Sequence, residues 1–173
     1  MGVFMRGYSW GNMYLSSIQQ GIQGWHAQNE IFTKYKINSP EMTTFLKWAK
    51  GHKTLMLLNG GYASNIQHIG EVLEKLNKML KRSPIEQRAI GVKAIPISCF
   101  KEEEAALNQA LTAIFTVLPE TCFCADSTER KKLLKEMSDA GFETPLAAAE
   151  FGGRSFSLSE RFKFLALCGE LAR

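Results

Sequence analysis

The chain has little of what marks disulfide-rich, secreted or membrane-spanning proteins. It has 4 cysteines and 5 prolines among its 173 residues, and no apolar run approaches the length of a membrane span. Residues 1–11 lack the charged start and apolar core of a secretory signal. So few cysteines fit reduced thiols better than a disulfide framework. We therefore expect a cytoplasmic protein that makes no contact with a membrane.

The sequence also lacks the complete short motifs that hold metals or nucleotides. Cys122-Phe123-Cys124 has no second cysteine pair and no histidine nearby, which zinc sites usually show. Asn59-Gly60-Gly61 has neither the glycine spacing nor the lysine of a phosphate-binding loop. A Gly-x-Ser-x-Gly nucleophile elbow is missing as well. We expect no metal and no cofactor, with the cysteines packed in the core and the glycines in a tight turn.

Charge is distributed unevenly along the chain. Residues 1–101 have 13 basic and 5 acidic residues, a net charge of +8, whereas residues 102–173 have 8 basic and 12 acidic residues, a net charge of −4. A basic half is typical of proteins that contact nucleic-acid phosphates. A solvated helix face explains the same charges without a partner, because pairs such as Glu71 with Lys75 have the i,i+4 spacing. The sequence is compatible with both interpretations.

Apolar and polar segments alternate in a way that predicts an α/β protein. We expect a three-layer α/β/α architecture with a four-stranded, mixed and mostly parallel sheet in residues 10–120, followed by a helical C-terminal extension in residues 121–173. The predicted strands lie near residues 13–17, 53–58, 94–100 and 111–118. Pro96 predicts that the third strand is an edge strand or contains a bulge. Asp126 or Ser127, Thr144 and Ser157 are the predicted starts of the helices in the extension.

The first predicted helix has the most informative pattern. Ser17 is its expected N-cap, with Gln20 completing a capping box. Gln19, Gln23 and His26 then fall on one face, at i, i+4 and i+7. Another face has the apolar side chains that we expect in the core, Ile18, Ile22, Trp25 and Phe32. The amide and imidazole face predicts the floor of a binding site, because amides hold carbonyls or hydroxyls and a histidine moves protons near neutral pH.

Gln23-Gly24-Trp25-His26-Ala27 on this helix resembles the Gln-x-x-His-Ala segment of the type 2 peptidyl-tRNA hydrolases. Residues 45–48 and 53–58 are similar to the second helix and strand of that family. Residues 112–119 are similar to its closing Thr-x-Leu-Gly-Ile-Gly-Pro strand. The resemblance covers about residues 12–120 and leaves the extension outside. The N-terminal block also resembles small proteins of tailed phages.

The resemblance implies hydrolysis of the ester between a peptide and the 3′ ribose of tRNA. His26 would then transfer a proton or orient the water, and Glu102 would take the place of the family's aspartate. The implied catalytic residues are His26, Gln19 and Glu102. The implied substrate-binding residues are Gln23, Thr112, Lys47, Lys50 and Lys53, with the lysines on tRNA phosphates. The implied partner is tRNA, and a homodimer is compatible with the sequence.

The sequence departs from the family at three places. Gln19 stands where the family has a lysine, Phe100-Lys101-Glu102-Glu103-Glu104 falls where it has the Asp-Ala-Gly loop, and the closing strand lacks the family's glycines before Pro119. Glutamine has no charge with which to hold a phosphate or a developing oxyanion. An alternative is therefore a catalytically inactive member of the same fold that binds RNA or a protein partner. A third interpretation is an unrelated small α/β protein, in which the glutamines and His26 satisfy one another and the glutamates form a surface turn.

Overall fold

One mixed β-sheet forms the centre of the computed structural model, which describes residues 3–102, 109–124, 126–152 and 156–171. The strands are β1 (Met5–Gly11), β2 (Leu55–Asn59), β3 (Ile97–Lys101), β4 (Leu111–Pro119) and β5 (Glu170–Leu171). They lie in the order β3-β4-β1-β2-β5. The four longer strands confirm the predicted four-stranded mixed sheet, and the two-residue β5 extends it at one edge.

The strand directions differ from the prediction of a mostly parallel sheet. Only β1 and β2 form a parallel pair among the described strands. The pairs β1–β4, β3–β4 and β2–β5 are antiparallel. Residues 102–110 are too few for a helical crossover, which needs a dozen or more residues, so β4 runs back beside β3. The mostly parallel description is therefore not confirmed.

The first strand lies earlier in the chain than predicted. Residues 13–17 form the turn and the start of a helix, whereas β1 is Met5–Gly11. Its glycines and Ser9 lower its apparent strand propensity. The strand is nevertheless buried, with Tyr8 and Trp10 at 1% and 0% exposure. The side chain of Asn12 ends the strand by accepting a hydrogen bond from the Tyr14 backbone N–H at 3.1 Å, which bends the chain toward the helix.

The described part of the chain contains seven α-helices. They are α1 (Ser17–Lys34), α2 (Pro40–Lys50), α3 (Ala63–Arg82), α4 (Pro84–Ile90), α5 (Ser127–Asp139), α6 (Pro145–Phe151) and α7 (Leu158–Ala166). The predicted caps Asp126, Thr144 and Ser157 each accept a hydrogen bond from the first turn of α5, α6 and α7. Helix α4 was not predicted; Pro84 ends α3 but also opens α4, whose N-cap is Ser83.

Side chains alternate across the sheet, so its two faces contact different helices. On one face, a Cβ at Gly7 would lie 2.9 Å from Trp48 of α2, and Ser9 lies against Gly24 of α1. On the other face, the side chain of Ile114 of β4 reaches Gly70 of α3. These contacts are compatible with a three-layer arrangement, which stays a prediction.

The C-terminal segment joins the sheet through β5. Leu58 and Asn59 of β2 pair with Leu171 and Glu170. A Cβ at Gly169, just before β5, would lie 2.6 Å from the Asn59 carbonyl oxygen. The division into residues 10–120 and 121–173 stays a prediction, and β1 begins before the first of these boundaries.

Helix α1 presents a different face to the core than its apolar residues suggest. Its N-cap is Ser16 and its capping-box partner is Gln19, each one residue before the predicted position. Its buried residues are Gln20, Gly24, Ala27 and Ile31. The residues expected in the core are instead exposed, by 78% at Ile18, 49% at Ile22, 56% at Trp25 and 58% at Phe32. That prediction is wrong because α1 approaches β1 closely: a Cβ at Gly24 would lie 2.6 Å from Ser9 Oγ.

Candidate functional site

Three of the sequence-predicted site residues come together around the amide of Gln23. Gln23 Nε2 donates a hydrogen bond to Glu102 Oε2 at 2.7 Å. The Thr112 hydroxyl lies 3.4 Å from Gln23 Oε1 and 3.3 Å from the carbonyl oxygen of Phe100. Its single proton serves one of these acceptors at a time. The cluster thus joins α1 to the end of β3 and the start of β4.

His26 lies one helical turn after Gln23 and is held by aromatic contacts. Its ring stacks on Phe100 with a centroid distance of 4.7 Å and an interplanar angle of 18°. Trp25 contacts the same imidazole at 5.2 Å. The residue is half-buried, and no residue in the described ranges forms a hydrogen bond with its ring. The stack therefore orients the imidazole, and the described residues leave both of its nitrogens without a hydrogen-bond partner.

Gln19 has a structural role in helix α1. Its Oε1 accepts a hydrogen bond from the Ser16 backbone N–H at 2.9 Å, and Ser16 Oγ accepts one from the Gln19 backbone N–H at 3.3 Å. This is the reciprocal pattern of a capping box. The structure thus places the Gln19 amide in the cap and not in the cluster of Gln23.

Lys47, Lys50 and Lys53 lie at the other end of the sheet from His26. Two of them are in the last turn of α2, where a cation complements the helix dipole. The connection that follows α2 lies beside the start of β1, because His52 Nδ1 accepts a hydrogen bond from the Met5 backbone N–H at 3.3 Å. The structure therefore does not bring these lysines to the cluster of Gln23. Glu103 and Glu104 lie outside the described residues.

A groove of about 970 Å³ lies between α3 and the strands β3 and β4. The cations along its wall are Lys34, Lys75, Lys78, Arg82 and Lys101. Two carboxylates, Glu71 and Glu74, also line it. The helical spacing of the α3 cations was visible in the sequence as a charge run. The contributions of α1 and β3 were not, because they depend on how the sheet is ordered.

Lys34 is fixed at the edge of the groove. Its Nζ donates hydrogen bonds to Glu74 Oε1 at 3.0 Å and to the Ile97 carbonyl oxygen at 2.8 Å. Burial is the largest single influence and acts to lower the pKa of Lys34, but the hydrogen bonds and charge interactions with Glu74 and Tyr35 together outweigh it, and the net shift of the pKa is upward. Lys34 therefore stays charged at neutral pH.

Strand β3 separates the groove from His26. Phe100 of β3 faces α1, where its ring contacts His26. The neighbouring residues Cys99 and Lys101 line the groove instead. The cluster of Gln23 and the groove therefore lie on two sides of one edge strand, within reach of a single large ligand.

The residues considered for a metal or a nucleotide have other roles. Cys122 is buried in the core, and burial raises the pKa of its thiol to about 12, which disfavours the thiolate that binds metals. No group of three His, Cys, Asp or Glu side chains suited to a metal occurs in the part of the chain that the structure describes. Asn59 Oδ1 accepts a hydrogen bond from the Gly61 N–H at 2.9 Å, and Gly61 has a φ of +76°, as a tight turn requires.

Comparison of the sequence with protein-family models gives no match, and comparison with curated proteins gives none. Within the described ranges, no helix is long and apolar enough to cross a membrane. The resemblance to the type 2 peptidyl-tRNA hydrolases therefore rests on the motifs in the sequence.

Proposed function

We propose that this protein hydrolyses the ester bond between a peptide and the 3′ ribose of tRNA. The observation that carries the proposal is the position of His26. Its imidazole is held against Phe100, with no hydrogen bond from the described residues, one turn from the cluster of Gln23, Glu102 and Thr112. A histidine with free nitrogens beside oriented hydrogen-bonding groups is the arrangement that general acid–base catalysis needs.

The reaction would proceed by attack of water on the ester carbonyl carbon. His26 takes a proton from the water as the new C–O bond forms. The bond to the ribose oxygen then breaks, and the imidazolium returns the proton to that oxygen. The products are a peptide carboxylic acid and a tRNA with a free hydroxyl group.

Gln23 is the residue best placed to hold the substrate. One amide N–H is used on Glu102, which leaves a second N–H for an ester carbonyl or a ribose hydroxyl. Glu102 acts through Gln23 and is therefore a positioning residue. Thr112 fixes the other end of the same amide.

The groove beyond β3 supports RNA as the carrier of the ester. Its five cations outnumber its two carboxylates. Such a surface binds RNA phosphates, and the binding affinity falls steeply as salt is added. We assign the phosphate contacts nearest the ester to this groove, and contacts with a more distant part of the RNA to Lys47, Lys50 and Lys53.

A second candidate function is RNA binding without hydrolysis. The capping role of Gln19 favours it, because that amide is already engaged and has no charge. A developing oxyanion would then lack the cation that the family's lysine supplies. In this case the groove, and not His26, would be the functional part of the molecule.

Single-turnover hydrolysis of labelled peptidyl-tRNA separates the two candidates. We expect cleavage by the wild type and a loss of about 10²–10⁴-fold in His26→Ala, the usual contribution of a general acid–base group. His68→Ala is the matched control, since His68 is half-exposed on α3 and pairs with Glu150 at 2.8 Å. It should cleave at the wild-type rate.

Other outcomes reject one or both candidates. No cleavage by the wild type, together with tRNA binding that weakens steeply between low and high salt, would support the non-catalytic binder. Recovery of cleavage in Gln19→Lys would show that only the missing cation prevents hydrolysis. A wild-type protein that shows no cleavage and no salt-dependent binding of tRNA would reject both proposals.

A further inference from the structure

The exposed apolar residues of α1 lie on one side of the helix, with the polar Asn29 between the last two, and we call them the α1 stripe: Ile18, Ile22, Trp25 and Phe32. The spacings of four, three and seven residues keep these side chains on one side of the helix, as in a coiled-coil seam. This side lies opposite the buried residues of α1. Each side chain is at least about half exposed, although the ring of Phe32 also contacts Phe45 of α2 at 5.2 Å.

The stripe has the size of the largest apolar patch on a typical monomer, a patch that is often functional. Aromatic side chains bury about 150–250 Å² each, so the exposed fractions of the four residues amount to about 400–500 Å². Monomeric proteins rarely expose a contiguous apolar patch above a few hundred Å². Two such stripes facing each other would bury about 1,000 Å² of surface, the size at which specific interfaces begin.

The charges on α1 indicate what kind of partner fits the stripe. The helix has two charged residues, Glu30 and Lys34, and neither belongs to the stripe. The residues beside it are Gly21, Gln28 and Thr33, all uncharged. Such a surface has no cation for RNA phosphates or anionic lipids. It also carries no charge that would repel a second copy of itself.

We propose that the α1 stripes of two copies of this chain pack antiparallel about a two-fold axis at Trp25, forming a homodimer. Ile18 and Phe32 are each seven residues from Trp25, so the axis places Ile18 of one copy against Phe32 of the other. A two-fold interface requires a self-complementary patch of this kind. The antiparallel orientation also sets the two helix dipoles in opposite directions, which is favourable.

The first test is the mass of the protein in solution, measured by light scattering after gel filtration. At about 500 µM we expect a dimer that dissociates on dilution, since an interface of about 1,000 Å² is at the small end of the range, where complexes are weak. Trp25→Glu should be monomeric, with an unchanged circular dichroism spectrum because the side chain is exposed. Ile37→Glu is the matched control at a residue that is 75% exposed outside the stripe, and it should remain dimeric.

Quenching of tryptophan fluorescence by acrylamide tests the same interface in the wild type. Trp10 and Trp48 are buried, so Trp25 is the tryptophan that acrylamide reaches. Dilution should increase quenching as the dimer dissociates. A monomeric wild type would overturn the proposal, whether or not it binds another protein through the stripe. A dimer that persists in Trp25→Glu would also overturn it.

Disulfide trapping tests the orientation. In a Cys99→Ser background, which removes the exposed cysteine, Trp25→Cys should cross-link two copies on mild oxidation. Ile18→Cys alone should not, because an antiparallel pair places it opposite Phe32. Equal cross-linking at both positions would indicate a parallel pair and overturn the antiparallel arrangement.

Discussion

Two glutamines four residues apart on α1 have different tasks. The side chain of Gln19 completes the cap of its own helix, whereas that of Gln23 joins α1 to Glu102 and Thr112. The difference arises from position, since only the first turn of a helix has backbone N–H groups without intrahelical partners. A glutamine near a helix start is therefore weaker evidence for a site than one a turn later.

The capping role of Gln19 gives a prediction about stability. Gln19→Ala should lower the free energy of unfolding by about 0.5–1 kcal/mol, because the Ser16 backbone N–H loses its acceptor. Gln19→Glu should keep wild-type stability, since a carboxylate closes the same box and favours a helix N-terminus. Urea denaturation measures both. Equal stability of the two variants would show that the capping box contributes nothing.

Part of the geometry around Gln23 could be predicted from the sequence, whereas the role of these residues in a site stays a prediction. Helical periodicity placed Gln23 and His26 on one face, and the end of a predicted strand placed Glu102 near them. The structure brings Gln23 to Glu102 and Thr112. Phe100, which stacks on His26, was missed because an aromatic residue in a strand usually indicates core. The sequence alone could not show that Lys47 lies far from the cluster of Gln23. That distance depends on the strand order, which determines the end of the sheet at which each loop lies.

At the scale of elements, α1 shows how apolar periodicity can select the wrong face. The periodic apolar residues of this helix are exposed, and its small residues face the sheet. Gly24 and Ala27 let the helix axis approach β1 closely, and a larger side chain at Gly24 would meet Ser9. The pattern of hydrophobic residues contains no information about the distance between two packed elements.

The two glycines of α1 give a matched pair of substitutions. Gly24→Ala should lower the free energy of unfolding by about 1–3 kcal/mol, because its Cβ would lie 2.6 Å from Ser9 Oγ and 3.1 Å from Ser9 Cβ. Gly21→Ala should raise it by up to about 1 kcal/mol, since its nearest contact is an ordinary 3.7 Å and alanine favours a helix. Thermal unfolding distinguishes them. Stabilisation by both would show that α1 is not held tightly against β1.

The ends of the sheet were partly predictable. Pro96 predicted an edge position or a bulge for the third strand; β3 is at the edge of the sheet, and its register with β4 shifts between Phe100 and Lys101. The antiparallel direction of β4 could have been recognised from the short segment 102–110. Strand β5 could not be predicted, because two residues show no periodicity and the strand forms only by pairing with β2.

At the scale of the whole molecule, buried thiols make the free energy of unfolding depend on pH in the alkaline range. Burial raises the pKa of Cys122 to about 12 and that of Cys124 to about 11. The unfolded chain releases these protons above about pH 8.5, the ordinary value, while the folded chain keeps them. The stabilising contribution is therefore complete below that pH and is lost as the pH rises toward the folded values.

Denaturation curves between pH 8 and 11 test this linkage. For Cys122 the free energy of unfolding should fall by up to about 1.4 kcal/mol per pH unit above the ordinary pKa. Cys122→Ala should be less stable at neutral pH because it leaves a cavity, but its stability should fall less steeply with pH. Cys99→Ala, at an exposed cysteine, should follow the wild-type slope. Identical slopes in all three proteins would mean that Cys122 ionises equally in both states.

The place of β4 in the sheet affects how the chain can fold while it is being made. β4 is the last of the four longer strands in the sequence, yet it lies between β1 and β3. A ribosome adds about 5–20 residues per second, so β3 emerges before any strand exists beside it. Until Pro119 has left the ribosome, only the β1–β2 pair can form. A nascent chain that stalls earlier would expose the open edge of the β1–β2 pair and the unpaired strand β3 to chaperones and proteases.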